Sequence, residues 1–462
     1  MLAVITFVIL AMVCLFVLDD IFIDLVAFFK QLEPKVVTKY ELKKILRLKE
    51  KNIAVIIANW HESDVLEKMI QGNIRSIKYK KYHFFLGVYP NDVETSRIAC
   101  ELDNKYSRVH RVVNTRNGPT TKGQMMNEIV RYIMSEEAKT NIKYDIFLMH
   151  DSEDIIHPLS LKLINSEIVF SDFIQIPIFS NDRLAEEWVG STYIDEFNEI
   201  HTKDMFVRAE LGAPVPSAGT GTALKHSLML KLVENNKGSF LKEDSLTEDY
   251  VLGMSSAMMG FKTSFCCRYT VDDKGVNNFI ATREHFPNRY KAAIRQKTRW
   301  IVGIAFQGIG IVPWRGSFAH KYFLYRDRKG PLNNFLSVCT AFITIDLLLY
   351  PVFYNSMPEF MNDTWFKLGS LLATIGMFNR IYHRIKAVII INGWKHAWLV
   401  PFRWPIGIFI NFFATMNAIN KYYNLVIKNE TLQWAKTNHE LPIGFGNELQ
   451  IKSTESKGEI YV

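Results

Sequence analysis

The N-terminal stretch from Met1 to Leu18 contains no charged side chain, and this constrains the chain more than any other feature. About 20 apolar residues are enough to cross a bilayer as a helix. No Lys or Arg precedes the run and no small-residue cleavage pattern follows it. Asp19 and Asp20 come next, so the run reads as an uncleaved anchor, residues 1–18. A basic linker, residues 19–50, then carries Lys30, Lys35, Lys39, Lys43, Lys44, Arg47 and Lys49, with Lys51 directly after it. Attraction to anionic lipid explains that cluster better than nucleic acid does, and no nucleic-acid partner is expected. By the positive-inside rule this side of the membrane is cytoplasmic. Apolar residues make up 48% of the chain and charged residues 22%, which excludes disorder.

A second group of apolar stretches lies near the other end. Asn334 to Tyr354 reads as a clear span. Leu368 to Asn379 and Trp404 to Asn420 are shorter, and read as short spans or interfacial segments within 331–425. A polar tail covers 426–462. Asp346 lies inside an apolar span, where a carboxylate often lines a polar path or sits near the interface with a partner. The expected localisation is a bacterial inner membrane, crossed more than once, with the middle of the chain in the cytoplasm. The five cysteines have neither CxxC nor zinc-ligand spacing, and are expected to be reduced.

The region 51–330 reads as a soluble α/β domain. Ile53 to Ala58, Tyr82 to Tyr89 and Tyr144 to Met149 are short apolar runs of strand type, separated by helical patterns. Such alternation predicts a parallel sheet, whose ligands bind beyond the carboxyl ends of its strands. Those ends read Asn59-Trp60-His61-Glu62, then Pro90-Asn91-Asp92, then His150-Asp151-Ser152-Glu153-Asp154. Carboxylates as close as Asp151, Glu153 and Asp154 repel one another unless a cation neutralises them. Mg²⁺ or Mn²⁺ suits such oxygen ligands, and would stabilise a diphosphate leaving group. His150 and His157, beside the cluster, read as satisfied strand-end histidines.

Asp151-Ser-Glu-Asp154, Thr247-Glu-Asp249 and Gln296-Lys-Thr-Arg-Trp300 follow in order. This series resembles the D, DxD, TED and QxxRW motifs of the membrane-embedded family 2 glycosyltransferases. Within that family the chain most resembles the NfrB-type, or phage-adsorption, proteins. The likeness includes Ser191-Thr-Tyr-Ile-Asp-Glu-Phe197, Pro216-Ser-Ala-Gly-Thr-Gly-Thr222 and Tyr325-Arg-Asp-Arg-Lys-Gly330. Longer members carry a C-terminal domain resembling a cyclic-di-GMP sensor, which this chain, stopping at Val462, is expected to lack.

The resemblance implies a GT-A (Rossmann-like) fold, a nucleoside-diphosphate sugar donor of the UDP type, a carbohydrate acceptor, and inversion at the anomeric carbon. It implies that Trp60, Glu62, Asp92, Lys122, Asn127 and Asp151 hold the nucleotide sugar. The Tyr-Pro-Asn-Asp at Asp92 departs from the family's Asp-Asp-Gly. The metal would lie on Asp151 with Glu153 or Asp154. Asp249 would be the general base and Glu248 its neighbour in orientation. Gln296, Arg299 and Trp300 share one helical face. Arg299 suits a diphosphate, and Trp300 offers a flat platform for a sugar ring. Ser217, Gly219, Thr220, Gly221 and Thr222 would contact the acceptor. The expected product is a surface polysaccharide, with an outer-membrane or periplasmic export partner. A single-sugar transferase acting on a lipid-linked acceptor, or a silent envelope scaffold, are the rival expectations.

Overall fold

The computed structural model describes residues 2–428 except 141, 185 and 244. Two compact units emerge. One comprises residues 34–181 and 214–286. The other comprises 1–33, 182–213 and 287–430. The Gln296–Trp300 motif therefore belongs to the helical unit rather than to the α/β domain. The expected polar tail lies almost wholly outside the described residues.

The α/β unit is built on a seven-stranded sheet. In chain order its strands are β1 (Ile53–Ala58), β2 (Tyr82–Val88), β3 (Val109–Val113), β4 (Ile146–His150), β5 (Phe173–Gln175), β6 (Thr222–Lys225) and β7 (Thr263–Phe265). Their spatial order is β7-β5-β6-β4-β1-β2-β3. Every residue of β1 is buried, as a central parallel strand covered on both faces requires. It pairs in parallel with β2 and β4, Ile53 lying opposite both Tyr82 and Ile146. The carboxyl ends of β1, β2 and β4 thus lie at one edge of the sheet, as expected.

Strand β6 runs against its neighbours β4 and β5, with Thr222 opposite Met149 and Gln175. This reversal brings the start of β6 to the edge where β4 ends. The Ser217–Gly221 loop arrives there with it, something strand patterning alone did not reveal. A small second sheet joins Ile155–Ile156, Ile178–Ser180 and Thr282–Glu284. The basic stretch after the anchor is also ordered. A helix runs from Lys39 to Arg47, and Thr38 with Glu41 forms a capping box at its start.

Among the described residues, the helical unit contains two helices long and apolar enough to cross a membrane, Ala3–Phe29 and Phe318–Tyr354. The first does not stop at Leu18. Its helix runs from Leu2 to Phe29 because the acids that follow the apolar run have partners. Asp19 accepts from the Tyr322 hydroxyl (2.5 Å), from Arg326 (2.6 Å) and from Lys329. Asp20 accepts from Arg380 at 2.7 Å. Asp24 accepts from Lys203 at 2.5 Å and from Asn379 at 2.6 Å. Leu368 to Asn379 is part of a helix over Thr364–Asn392, and Trp404 to Asn420 is part of one over Val400–Ile427. No disulfide forms among the described residues.

Candidate active site

The α/β unit gathers its acidic and basic groups where β1, β2, β4 and β6 meet. Lys122 opens the helix Lys122–Thr140 and bonds to Asp151 Oδ1. Burial alone would lower the lysine's pKa. Asp151, Glu248 and Asp249 together outweigh burial and hold the ammonium well above its ordinary value. One lysine therefore balances the first carboxylate of the β4 turn and both acids of the Thr247-Glu-Asp249 motif. Asp249 sits in the first turn of the helix Glu248–Met258, its Oδ1 accepting from the Tyr250 N–H at 2.8 Å. Gly219 faces Asp249 at φ +81°, and a Cβ there would lie 2.7 Å from Asp249 Oδ2. The same Cβ would lie 3.6 Å from Lys122 Nζ.

The 151–154 turn divides its carboxylates by environment. Asp151 is the most open of them. Asp154 is fully buried, and its Oδ2 accepts from the Asp151 N–H (2.7 Å), from His150 Nδ1–H (2.8 Å) and from the Thr220 hydroxyl. Glu153 is buried as well. His157 stays neutral, since burial and then Arg283 push its pKa down to about 4. A fourth carboxylate, Glu284, was not found from the sequence. The antiparallel ladder pairs Thr282 with Ile156 and Arg283 with Ile155, so Glu284 follows on the side of Asp154. Burial, and then Asp154, Glu153 and Asp151, hold Glu284 well above the usual carboxylate range. No local motif around Glu284 could have revealed it.

The residue pattern of "Glycosyltransferase like family 2" matches residues 51–303, more than half of the chain. The chain belongs to the family 2 glycosyltransferases. The family match covers both the α/β edge just described and the Gln296–Trp300 helix.

Two relatives agree with this family. They are the "Bacteriophage adsorption protein B" of Escherichia coli K12 and the "Bacteriophage N4 adsorption protein B" of Escherichia coli O157:H7. Each is 34% identical over 453 residues, which covers 92% of this chain and 60% of the relative. The chain thus spans well under two thirds of the length of these relatives. Among solved structures, the "Mannosyltransferase PcManGT from Pyrobaculum calidifontis in complex with GDP-Man and Mn2+" is similar in fold. Its TM-score is 0.52 at 13% identity, over 89% of this chain and 99% of that one. The family 2 sheet is therefore a GT-A fold, as the resemblance implied.

Several residues expected to touch ligand are occupied in other ways. Asn127 is buried with its whole amide in use. Its Oδ1 accepts from the N–H groups of Phe240 and Leu241, and its Nδ2 donates to the Leu241 carbonyl and Glu243. Asn127 thus anchors the segment leading to Thr247. The hydroxyls of Ser217, Thr220 and Thr222 also turn inward. Ser217 and Thr222 bond to each other at 2.7 Å, and Thr222 donates to Gln175 at 2.7 Å. These hydroxyls brace the loop, of which only Ala218 is exposed. Gly221 is likewise buried, its N–H bonded to the Met149 carbonyl at 2.9 Å.

Gln175 is the organiser that sequence reading missed. From β5 it donates to the Thr220 carbonyl and accepts from the Ala218 N–H, both at 2.9 Å. A lone Gln in an apolar strand was the only available signal. Asn59 plays a similar part, accepting from Ser152 Oγ at 2.8 Å and donating to the Gly87 carbonyl at 3.0 Å.

The strand-end groups of β1 and β2 come together as expected. Trp60 packs edge-on to Tyr89, with ring centroids 5.0 Å apart. Asp92 caps the helix Val93–Lys105, and its Oδ2 accepts from the His61 N–H at 2.6 Å. His61 holds φ +56°, a sparsely populated conformation for a residue with a Cβ. The Glu62 N–H donates to Thr95 Oγ1 at 3.0 Å.

In the helical unit, Gln296, Arg299 and Trp300 lie on the helix Tyr290–Ile301. Trp300 stands edge-on to Tyr193 at 6.1 Å and tilted to Phe197 at 6.0 Å. Lys297, between the motif residues, is tied to Glu196 at 2.5 Å and to Asn411 at 2.9 Å. Gln296 Oε1 is buried and meets no donor among the described residues.

Proposed function

We propose that the chain is an inverting membrane glycosyltransferase that moves a sugar from a nucleoside-diphosphate donor to a growing surface polysaccharide. The observation that carries this reading is the arrangement of Lys122 with Asp151, Glu248 and Asp249 at the carboxyl edge of the sheet. A cation flanked by a metal-type carboxylate and a base-type carboxylate is what single-displacement transfer from a diphosphate requires.

The donor set fits a hard divalent cation. Burial raises Glu284, the neighbouring Asp154, Glu153 and Asp151 raise it further, and a cation would relieve their mutual repulsion. Among the described residues no three such side chains already stand in ligand geometry. Asp151 with Glu153 would hold Mg²⁺ or Mn²⁺, and the ion would supply charge neutralisation for the diphosphate. Lys122 adds a point charge for the same group. Asp249 accepts the proton of the acceptor hydroxyl as that oxygen attacks the anomeric carbon. One base on the face opposite the leaving group gives inversion. Glu248 orients. Arg299 contacts the diphosphate and Trp300 the acceptor sugar. Trp60, with Tyr89 behind it, stacks on the nucleobase, and Glu62 and Asp92 shape that pocket.

The sugar is a hexose or N-acetylhexosamine, and the donor is taken as UDP-linked. The similar mannosyltransferase is described with GDP-mannose and Mn²⁺, so both nucleotides belong in the assay. The Ala3–Phe29 and Phe318–Tyr354 helices would place the protein in a bacterial inner membrane, with the α/β unit cytoplasmic. Export would need a periplasmic or outer-membrane partner. A second reading is favoured by the relatives named for phage adsorption, an envelope component in which catalysis is secondary or limited to a lipid-linked acceptor. Release of nucleoside diphosphate by purified protein, with and without lipid-linked acceptor, separates the two.

A further inference from the structure

We propose that Asp154 is a positioning residue and that Thr220 is its partner. Together they set the spacing between the metal-binding turn and the general base. This rests on the glycosyltransferase reading above.

Asp154 is a fully buried carboxylate. Its Oδ2 takes three donors: the Asp151 N–H at 2.7 Å, His150 Nδ1–H at 2.8 Å, and the Thr220 hydroxyl. The first of these fixes the backbone of Asp151, the residue that presents the metal-type carboxylate. The third reaches across to a different loop. His150 Nδ1 lies 3.1 Å from Thr220 Oγ1 as well, so the three side chains form one buried cluster.

Thr220 is itself held firmly. Its carbonyl accepts from Gln175 Nε2 at 2.9 Å, and the following N–H, of Gly221, donates to the Met149 carbonyl at 2.9 Å. Its other neighbour is Gly219, against which Asp249 Oδ2 stands so closely that no Cβ would fit. A short path therefore runs from Asp151 through its own N–H to Asp154, across to Thr220, along one peptide to Gly219, and onto Asp249. Within this path the Asp154–Thr220 bond is the side-chain link between the turn and the loop. Catalytic groups must be held to within a fraction of an ångström by their supporting bonds. This link does that for the metal-type acid and the base.

The rival role for Asp154 is that of a metal ligand. Its Oδ1 meets no donor among the described residues, and a cation would take that atom. The two roles predict different results. The experiment uses the full chain in detergent. Mn²⁺ binding in the presence of UDP is followed by electron paramagnetic resonance, and nucleoside-diphosphate release is measured under the same conditions. The variants are Thr220→Val, Thr220→Ser, Asp154→Asn and, for comparison, Asp151→Asn. A displacement of about 1 Å costs up to roughly 10²-fold in rate. Thr220→Val should accordingly lower kcat by about 10-fold to 10²-fold and leave Mn²⁺ affinity within about threefold. Thr220→Ser, which restores the hydroxyl, should recover kcat. Asp154→Asn should lower kcat and keep Mn²⁺, whereas Asp151→Asn should lose Mn²⁺. Loss of Mn²⁺ in Asp154→Asn to the same extent as in Asp151→Asn would overturn the proposal, as would full kcat in Thr220→Val. Asp154→Asn tests the link from its other end, so a poorly folded Thr220→Val does not shield it. Failure of the wild-type protein to turn over any nucleotide sugar would instead refute the glycosyltransferase reading, while the Mn²⁺ measurements would still judge the role of Asp154.

Discussion

Gly219 and Asp249 are packed so that a single methyl group on the glycine would stand 2.7 Å from the aspartate's Oδ2. The backbone there holds φ +81°, which residues with a Cβ rarely adopt. Gly219→Ala therefore carries both backbone strain and a clash with the proposed base. Turnover should fall by about 10²-fold or more, the scale of losing a general base. UDP affinity should change little. Equilibrium dialysis beside a rate assay distinguishes the two, and unchanged turnover would mean that Asp249 can move without consequence.

Lys122 faces three acids, and its neutralisation should matter for donor binding. Lys122→Met should weaken binding of UDP by about 10-fold or more, in keeping with about 1.5–3 kcal/mol for a hydrogen bond to a charged group. Calorimetric titration with UDP and Mn²⁺ provides the measurement. An affinity equal to the wild type would place the diphosphate elsewhere.

Asn127 should behave as a structural residue. Asn127→Ala removes partners from the N–H groups of Phe240 and Leu241 and from the Leu241 carbonyl. Each buried group left unpaired costs about 1–3 kcal/mol. The thermal midpoint should drop by several degrees, while KM for the donor stays close to wild type in protein that remains folded. A large rise in KM without any loss of stability would restore Asn127 to the nucleotide site.

The helical unit provides a pH test. Asp195 pairs with Arg403 at 2.5 and 3.0 Å, yet burial outweighs the pairing and pushes its pKa up to about 6. An unfolded Asp titrates near about 3.9. Between these values the folded form binds more protons than the unfolded one, so this group's contribution to stability grows as pH falls through about 6. Thermal melts between pH 7.5 and pH 5 should show that slope in the wild type and a shallower one in Asp195→Asn. Equal slopes would mean that Asp195 is charged throughout.

Trp300 should matter for the acceptor rather than the donor. Trp300→Ala should impair transfer more than hydrolysis of the nucleotide sugar, because water needs no aromatic platform. Arg299→Ala should impair both, since both expel the same diphosphate. Parallel rates with and without acceptor test this. Full transfer by Trp300→Ala would leave the residue as packing for Tyr193 and Phe197.

The parallel core was legible because β1, Ile53 to Ala58, is a short unbroken apolar run rich in β-branched residues, the pattern of a strand covered on both faces. The acids at the strand ends were legible because a parallel sheet places its ligand edge at the carboxyl ends. What sequence concealed was the partner of each polar group. Asn127 resembles a ligand in a motif, yet its side chain meets the backbone N–H groups of Phe240 and Leu241, and Asp154 meets the N–H of its own turn and the hydroxyl of the distant Thr220. Glu284 reaches the acidic turn only through an antiparallel ladder formed late in the chain. The helix Leu2–Phe29 outran its apolar stretch because Asp19, Asp20 and Asp24 find cations on distant helices, and no local propensity encodes that pairing.

The central claim is that Asp249 takes the acceptor's proton while Asp151 serves the donor's diphosphate. The direct measurement is nucleoside-diphosphate release from UDP- and GDP-sugars by the purified protein with Mn²⁺, for the wild type, Asp249→Asn and Asp151→Asn, alongside UDP binding. The wild type should turn over one donor class. Asp249→Asn should bind UDP normally and lose about 10²-fold or more in rate. Asp151→Asn should lose Mn²⁺-dependent UDP binding itself. Wild-type rates in Asp249→Asn, or equal loss of UDP binding in both variants, would contradict the account.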